Sequence, residues 1–279
     1  MSNGNLGYLY YKRYYELDNK EENYETKVNK FNKNNYKKGK KKSLFNESNI
    51  KYINNTLLGY SLEIDIESYI SFGQSFNLTT AYPGLLIGSG YDHNLKNSND
   101  SFKLGFYFDY TTGLPMILGS SIKGVLRSAF PESETKDKEL NDCKMEYIEA
   151  LLGKITNANF TTDEIHQLRD EIFEGKYSEN ESIPIYKRDI FLGAEICGVK
   201  RESRKILGDD YITPHKEETK NPNPLKFLKV LPGVIFKFSF DLKDSQKITK
   251  EQKLVLFEKI ILDLGVGSKT NIGYGSFTK

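Results

Sequence analysis

The sequence has little of what disulfide scaffolds, metal centres and membrane spans are made from. Its 279 residues include no tryptophan, three histidines and only two cysteines, Cys143 and Cys197. Two cysteines exclude a disulfide framework and suit the reducing cytoplasm. No Cys/His cluster has zinc spacing, no run approaches the roughly 18 apolar residues of a membrane span, and the N-terminal residues lack the basic-then-apolar order of a signal peptide. We therefore expect a cytoplasmic protein with no membrane contact, no metal and no cofactor.

Charge is unevenly distributed, although the net charge is only +2. Residues 1–60 carry 12 Lys and Arg against 6 Asp and Glu, and residues 30–42 hold seven lysines and no acid. Such a run binds the phosphates of a polyanion through counterion release. It is equally typical of a solvated, disordered arm, so both interpretations stay open. We treat residues 1–56 as a basic, poorly patterned arm.

Hydrophobic periodicity over residues 57–279 predicts a single α+β domain. Alternating residues predict strands, and i, i+3, i+4 spacing predicts amphipathic helices. With insertions near 70–112, 131–188 and 199–232 set aside, the elements are strand 62–68, helix 121–130, strand 190–196, strand 234–241, helix 250–264 and strand 272–278. This β-α-β-β-α-β order is that of a ferredoxin-like (RRM-like) core, here with large helical and loop insertions.

Several local features refine this prediction. Ser120 is a suitable N-cap for the first core helix, and Thr249 with Gln252 forms a capping box for the second. We expect that second helix to bury one side, which carries Leu254, Phe257, Ile261 and Leu264. The insertions contribute a strand over residues 104–108 and helices near 143–152 and 162–174.

The topology predicts that two distant stretches meet. In a ferredoxin-like fold the first helix begins, and the second helix ends, at the same edge of a 4-1-3-2 antiparallel sheet. We therefore expect residues 120–123 to lie beside the loop 265–275.

That loop is rich in glycine and contains a cation. Its backbone N–H groups suit phosphate oxygens, and the helix start adds free amides and the charges of Lys123 and Arg127. A P-loop is excluded, because Ser268 rather than Gly precedes Lys269 and the order is helix-loop-strand. The alternative is a glycine turn that only lets a helix pack closely on a strand.

Two segments together resemble a known family. GLPMILGSSIKGVLR (residues 113–127) is similar to the G-x-P-x-x-P-G-S-S-x-K-G…R segment of the RAMP proteins of CRISPR systems, with Leu118 where that family usually has Pro. GVGSKTNIGYGSF (residues 265–277) is similar to their C-terminal glycine-rich loop, and DDYITPH (residues 209–215) resembles the sixth Cmr subunit of type III-B effector complexes. The resemblance runs, with gaps, over residues 60–279.

The resemblance implies a non-catalytic, RNA-binding subunit of an RNA-guided antiviral complex. Such a subunit caps the filament near the 3′ end of the guide RNA, and its partners are guide and target RNA, the repeating backbone subunit, the small helical subunit and a neighbouring RAMP subunit. The residues expected to bind RNA are Ser120, Ser121, Lys123, Arg127, Gly267, Ser268, Lys269, Thr270, Asn271, Gly273, Tyr274 and Gly275.

A thumb-like hairpin is implied for residues 200–232. This segment is expected to lie along the guide–target duplex, through contacts from Arg201, Arg204, Lys205, Tyr211 and His215. Tyr274 is equally suited to stacking on RNA and to a place in the core.

An endoribonuclease that processes CRISPR precursor RNA is the alternative. Related enzymes use a histidine as general acid or base, and the candidates are His93, His166 and His215. Only His215, with Asp209 and Asp210 nearby, forms a constellation suited to catalysis, and a structural loop is the competing interpretation. Asp65 lies within a strand pattern and is expected to face solvent.

Overall fold

A computed structural model describes residues 5–15, 47–63, 65–66, 72–90, 93, 100–132, 135–178, 180–213 and 224–279. The basic run 30–42 and His215 lie outside these residues. The α-helices of the described part are α1 (Leu6–Tyr11), α2 (Glu47–Gly59), α3 (Gly119–Ala129), α4 (Lys138–Thr156), α5 (Thr162–Arg169) and α6 (Lys250–Leu264). A π-helical turn, Asp170–Glu174, follows α5, and short 3-10 turns span Arg13–Tyr15, Ile185–Lys187 and Thr270–Ile272.

The strands of the described part form one five-stranded sheet and two hairpins. They are β1 (Gln74–Thr80), β2 (Met116–Ile117), β3 (Lys176–Ser178), β4 (Glu181–Ser182), β5 (Ile190–Val199), β6 (Leu207–Ile212), β7 (Leu225–Val230), β8 (Val234–Asp241) and β9 (Phe277–Thr278). The sheet has the order β2-β5-β8-β1-β9, and every neighbouring pair is antiparallel. The prediction of a mixed α+β fold is confirmed.

The core lies between this sheet and the helices α3 and α6. Strand β8 alternates as predicted, and its Phe236, Phe238 and Phe240 are fully buried. Each such ring contributes about 1.5–3 kcal/mol by leaving water. Helix α3 buries Ile122 and Leu126 at i and i+4, and it packs against both β5 and α6.

Helix α6 begins at the predicted capping box. The Thr249 Oγ1 accepts a hydrogen bond from the Gln252 N–H at 3.3 Å, and the Gln252 Oε1 accepts one from the Thr249 N–H at 2.9 Å. The predicted buried face is partly wrong, because Leu264 is 43% exposed. The residues that α6 buries are Lys253, Leu256, Phe257, Ile260 and Ile261.

Lys253 is buried because it forms an ion pair with Asp189 at 2.6 Å. Asp189 comes directly before β5 and also accepts a hydrogen bond from the N–H of Lys243, 2.7 Å away. Burial raises the pKa of Asp189, while the charge of Lys253 opposes that rise. The ion pair links the first turn of α6 to the residue that precedes β5.

The predicted first strand, 62–68, is wrong. The first strand of the sheet is β1, which lies inside the insertion predicted over residues 70–112. The Leu62 N–H instead donates to the carbonyl of Arg204, and the Ile66 N–H donates to that of Cys197. The described residues 62, 63, 65 and 66 belong to no strand, and their backbone is held by single backbone hydrogen bonds to Arg204 and to β5.

Three further boundaries differ from prediction. Helix α3 begins at Gly119, and its N-cap is Leu118 rather than Ser120, with no side-chain capping bond. The last strand is only Phe277–Thr278, because Thr270–Ile272 forms a 3-10 turn. Residues 104–108 form no strand, although Phe108 makes an isolated bridge to Pro115.

The N-terminal residues are not wholly an arm outside the core. Helices α1 and α2 are described, and the buried Leu6, Tyr10 and Ile53 belong to the same hydrophobic cluster as the sheet. Tyr14 Oη donates to Asn54 Oδ1 at 3.1 Å, which links the two helical segments. The prediction of a poorly patterned arm is therefore wrong for residues 6–15 and 47–56.

Candidate nucleic-acid interface

The glycine loop (residues 265–275) is fixed to the segment that follows β1. The Ser268 N–H donates to the Leu86 carbonyl at 2.8 Å, and the Gly275 N–H donates to the Gly84 carbonyl at 2.8 Å. The loop closes on itself through the Val266 N–H and the Gly275 carbonyl, 2.9 Å apart. These backbone bonds leave the loop little freedom to move against the sheet.

Gly275 shows why part of the loop requires glycine. Its φ is +75°, and a Cβ there would lie 2.0 Å from the Val266 carbonyl oxygen. No side chain fits such an approach. The packing explanation for the glycines therefore holds at this position.

Close packing does not explain the polar middle of the loop. Thr270 and Asn271 are exposed, and Lys269 is partly buried. Gly267 is exposed too, but it requires glycine for the same reason as Gly275, since a Cβ there would lie 2.5 Å from the Leu86 carbonyl oxygen. Lys269 adopts φ +62°, which is uncommon outside glycine. Its Nζ forms no hydrogen bond or ion pair with any residue that the structure describes. A cation without a partner, beside exposed backbone, suits an anionic group.

The β6–β7 hairpin meets the glycine loop at Asp210. The Asp210 carboxylate accepts hydrogen bonds from Tyr274 Oη at 2.7 Å and from Lys229 Nζ at 2.6 Å. Asp210 lies on β6, Lys229 on β7 and Tyr274 in the loop. We call these three residues the junction.

The junction lowers the pKa of Asp210 and raises that of Tyr274. Burial alone raises the pKa of Asp210, but the bonds from Lys229 and Tyr274 outweigh it and hold that pKa below the ordinary value. Burial, and then the bond to Asp210, raises the pKa of Tyr274. Asp210 is therefore ionised and Tyr274 protonated at neutral pH. Of the two roles open to Tyr274, the core position is the one observed, since only 8% of it is exposed.

A second ion pair crosses the hairpin beside the junction. Lys226 Nζ lies 3.0 Å from Asp209 Oδ2 and 5.9 Å from the centroid of the Tyr211 ring. Both aspartates of the DDYITPH segment are thus held in the structure by lysines of β7. This is the structural interpretation of that segment, and His215 lies outside the described residues.

Two tyrosines next to the junction expose their rings. Tyr211 follows Asp210 on β6 and is 57% exposed, and Tyr82 is 86% exposed. Tyr82 occupies the turn after β1, where Pro83 Cδ would lie 3.5 Å from a Cβ on Gly273. Tyr82, Lys226 and Lys229 are residues that sequence reasoning missed. The Tyr-Pro-Gly turn at residues 82–84 and the two lysines of β7, three residues apart, were the available signals.

The start of α3 lies elsewhere. A Cβ on Gly119 would lie 1.9 Å from the Phe191 carbonyl oxygen, and Lys123 Nζ lies 5.8 Å from the Phe191 ring centroid. Ser120 is exposed, while Arg127 forms an ion pair with Glu174 at 2.8 Å.

The sheet register separates this helix start from the glycine loop. Gly193, which borders Gly119, is level with Ser239 and Ser75. The glycine loop leads into Phe277, which pairs with Thr80. Five extended residues from 75 to 80 span roughly 17 Å. The prediction that residues 120–123 and the loop form one cleft is wrong, because β2 leads the chain towards the other end of β5 before α3 begins.

The other predicted hairpin contacts divide into two groups. Arg201 and Lys205 are exposed. Arg204 instead stabilises the fold, since its guanidinium donates to the Leu62 carbonyl and, at 2.6 Å, to Asp65 Oδ1. The side chain of Asp65 is exposed, as expected, but it has this specific partner.

The structure describes two of the three histidines, His93 and His166. His93 is 1% exposed, and its Nε2 lies 2.9 Å from the Tyr10 carbonyl. Burial lowers the pKa of His93 to about 3, so the ring is neutral and shielded from a substrate. His166 lies on α5, which packs against α4.

The described residues provide neither a metal-binding cluster nor a membrane-spanning helix. They contain no group of three or more His, Cys, Asp or Glu side chains placed to hold a metal ion. Among them, too, no helix combines the length and the apolar character that crossing a membrane requires.

Solved structures of CRISPR complexes resemble the chain. A chain of the type III-B Cmr-beta cryo-EM structure, bound to cognate target RNA, is 26% identical over 73% of this chain and 56% of its own, with a TM-score of 0.47. This protein thus spans little more than half the length of that chain. The crystal structure of Cmr6 from Pyrococcus furiosus is 21% identical over 74% of this chain and 96% of its own, with a TM-score of 0.44. A Csm–crRNA–target RNA complex of type III-A gives 13% identity and a TM-score of 0.29, over 67% of this chain and 72% of its own.

No curated protein sequence matches the chain. The family model does, and it matches residues 77–278, from β1 through the hairpin and the glycine loop to β9. This range is well over half of the 279 residues. The chain therefore belongs to the RAMP superfamily.

Proposed function

We propose that this protein is an RNA-binding subunit of a type III-B CRISPR effector complex and holds the backbone of the guide RNA. Family membership supports the proposal, and the Cmr structures named above supply the type of complex. In this role it caps the filament near the guide 3′ end, beside the repeating backbone subunit, the small helical subunit and a neighbouring RAMP subunit. Its place of action is the cytoplasm.

The observation that carries the proposal is Lys269, a cation with no partner among the described residues, in a loop with exposed backbone. Phosphates are bound by Lys side chains and by backbone N–H groups, and such contacts fix register without reading sequence. In a guided complex base pairing reads the sequence, so backbone contacts are sufficient. Gly267, Thr270 and Asn271 would share this role. The N–H groups of Ser268 and Gly273 already donate to the carbonyls of Leu86 and Thr270, so Ser268 would contribute its hydroxyl and Gly273 only a close approach of the backbone.

The residues of α3 that were expected to bind RNA form a second patch, separate from the glycine loop. Ser120, Ser121 and Lys123 lie on the first turns of α3, whereas the guanidinium of Arg127 is already paired with Glu174. We place the principal RNA contact at the glycine loop and the hairpin, where Lys269, Arg201 and Lys205 have no ion-pair partner among the described residues.

The core of the protein is best interpreted as ferredoxin-like. Without β2, the order β5-β8-β1-β9 corresponds to the 2-3-1-4 order of that fold, and α3 and α6 are its two helices. Such a sheet presents the loops between its elements to a ligand.

We propose that the protein itself does not cut RNA. Proton transfer by a histidine requires a ring that reaches the substrate, and the burial of His93 counts against the precursor-processing alternative. Cutting of target RNA would then fall to other subunits of the complex.

The test is the affinity of the isolated full chain for labelled guide RNA at several salt concentrations. We expect affinity to fall as salt rises, and Lys269→Ala to weaken binding and to reduce the slope of log K against log salt by about 1. Lys187→Ala is the matched control. It removes the same charge from a 3-10 turn near the first residues of α6, roughly 22 Å of helix away from the glycine loop.

The same incubation tests the alternative. Intact RNA, with binding that depends on Lys269, supports the proposal. Equal binding by parent and Lys269→Ala at every salt concentration contradicts the proposed site, and cleavage of CRISPR repeat RNA by the isolated chain favours the endoribonuclease.

A further inference from the structure

We propose that Tyr82 and Tyr211 stack on unpaired bases of single-stranded RNA. The inference rests on the proposed function and deepens it, because it states which residues grip bases and which form of RNA they require.

Tyr82 is presented by a rigid turn. The Gly84 N–H donates to the Ala81 carbonyl at 2.8 Å, and the Ala81 N–H donates to the Ser276 carbonyl at 2.9 Å. The ring above this turn is 86% exposed. The Tyr82 hydroxyl is also among the groups that raise the pKa of Tyr274, after burial and the bond to Asp210. Tyr82 therefore lies close to the junction.

Tyr211 follows the junction residue Asp210 on β6, and its ring lies on the opposite face of the hairpin, where it is level with Lys226 of β7. Its backbone N–H donates to Asp210 Oδ1 at 2.9 Å, while its ring remains 57% exposed. Lys226 approaches the ring to 5.9 Å and is itself held by Asp209. The Tyr82 ring thus lies beside the junction and the Tyr211 ring lies beside Lys226 on the other face of the hairpin, on a turn and a strand that are both fixed by backbone bonds.

The chemistry of the surroundings favours nucleic acid over a protein partner. A large contiguous apolar patch is the mark of a protein interface. The loop beside these rings exposes one large apolar residue, Ile272, among the polar Thr270 and Asn271 and the cationic Lys269. Aromatic rings beside cations are the platform on which bases of single strands stack, in any sequence. In a duplex the bases already stack on one another, so the rings would find no free base face.

The experiment measures dissociation constants of the full chain for three probes. These are a short single-stranded RNA, its duplex with the complementary strand, and the single strand with abasic positions. We expect Tyr82→Ala and Tyr211→Ala each to weaken binding of the intact single strand about 5- to 150-fold, the value of one lost base stack. Tyr82→Phe keeps the ring and should bind within about twofold of the parent.

Tyr186→Ala is the matched control, since Tyr186 is 75% exposed on the 3-10 turn at the far end of α6. We expect this variant to bind like the parent, and the Tyr82→Ala effect to disappear on the abasic probe. Unchanged melting temperatures exclude unfolding.

Three outcomes would overturn the inference: parent-like affinity of both alanine variants, equal binding of duplex and single strand, or loss only of association with a neighbouring protein subunit. If Lys269→Ala still weakens binding in that case, the proposed function stands and only the stacking fails. If the parent binds none of the probes, both fail.

Discussion

At the scale of single residues, Asp210 is the contact that joins the hairpin to the glycine loop. It accepts hydrogen bonds from a lysine and a tyrosine at 2.6 and 2.7 Å, with its side chain 36% exposed. Hydrogen bonds to charged groups contribute about 1.5–3 kcal/mol, and partial exposure reduces that value.

We expect Asp210→Asn to lower the free energy of unfolding by about 1–2 kcal/mol, because both donors lose a charged acceptor. Urea denaturation at neutral pH measures the change. The matched control is Asp209→Asn, which breaks the pair with Lys226 but leaves the loop attached, and it should cost less. An equal loss of stability in both variants would show that the hydrogen bond to Tyr274 adds nothing to the free energy of unfolding.

The same residue predicts a dependence on pH. The folded pKa of Asp210 lies below its ordinary value of about 3.9. Its contribution is therefore complete above that ordinary value and disappears as pH falls through the folded pKa. The difference in stability between parent and Asp210→Asn should be constant from pH 7 to about 5 and should shrink below pH 4.

Only part of the candidate site could be predicted from the residue types in the sequence. Lys269 and Tyr274 stand in a recognisable glycine-rich segment, so the sequence indicates them. Tyr82 stands in an ordinary turn, and only the backbone bonds that join this turn to Gly275 and Ser276 give it a role. Tertiary pairing of this kind leaves no periodic signal in the sequence.

At the scale of elements, the long strands and capped helices were predictable and the short ones were not. Strand β8 and helix α6 have eight and fifteen residues, with clear alternation and a capping box. Strands β2 and β9 have two residues each, which is too short for periodicity. The prediction of one cleft failed because of β2, which leads the chain to the other end of β5 before α3 begins.

Glycines in two elements predict opposite responses to alanine. Gly275→Ala should lower the free energy of unfolding by at least about 2 kcal/mol, because its Cβ would meet the Val266 carbonyl at 2.0 Å in a left-handed conformation. Gly124→Ala, in the middle of α3 with nothing within 4 Å, should raise it by about 0.5–1 kcal/mol. Thermal denaturation of the two variants compares them. Similar melting temperatures would mean that the loop yields to the added methyl group.

At the scale of the whole molecule, one end of the sheet gathers the features that suit RNA. The glycine loop, the hairpin and the turn after β1 come from three distant parts of the chain and are bonded to one another through Gly84, Leu85 and Leu86. The buried Lys253–Asp189 pair lies at the other end, where α6 begins. This division predicts that the principal RNA contact lies at the end of the sheet that carries the glycine loop.

The most direct measurement is cross-linking of 4-thiouridine-containing guide RNA to the intact complex, with the cross-linked peptides identified by mass spectrometry. We predict cross-links in residues 82–88, 201–211 and 265–275. Cross-links confined to α4 and α5, or none on this chain in a complex that retains its RNA, would contradict the account.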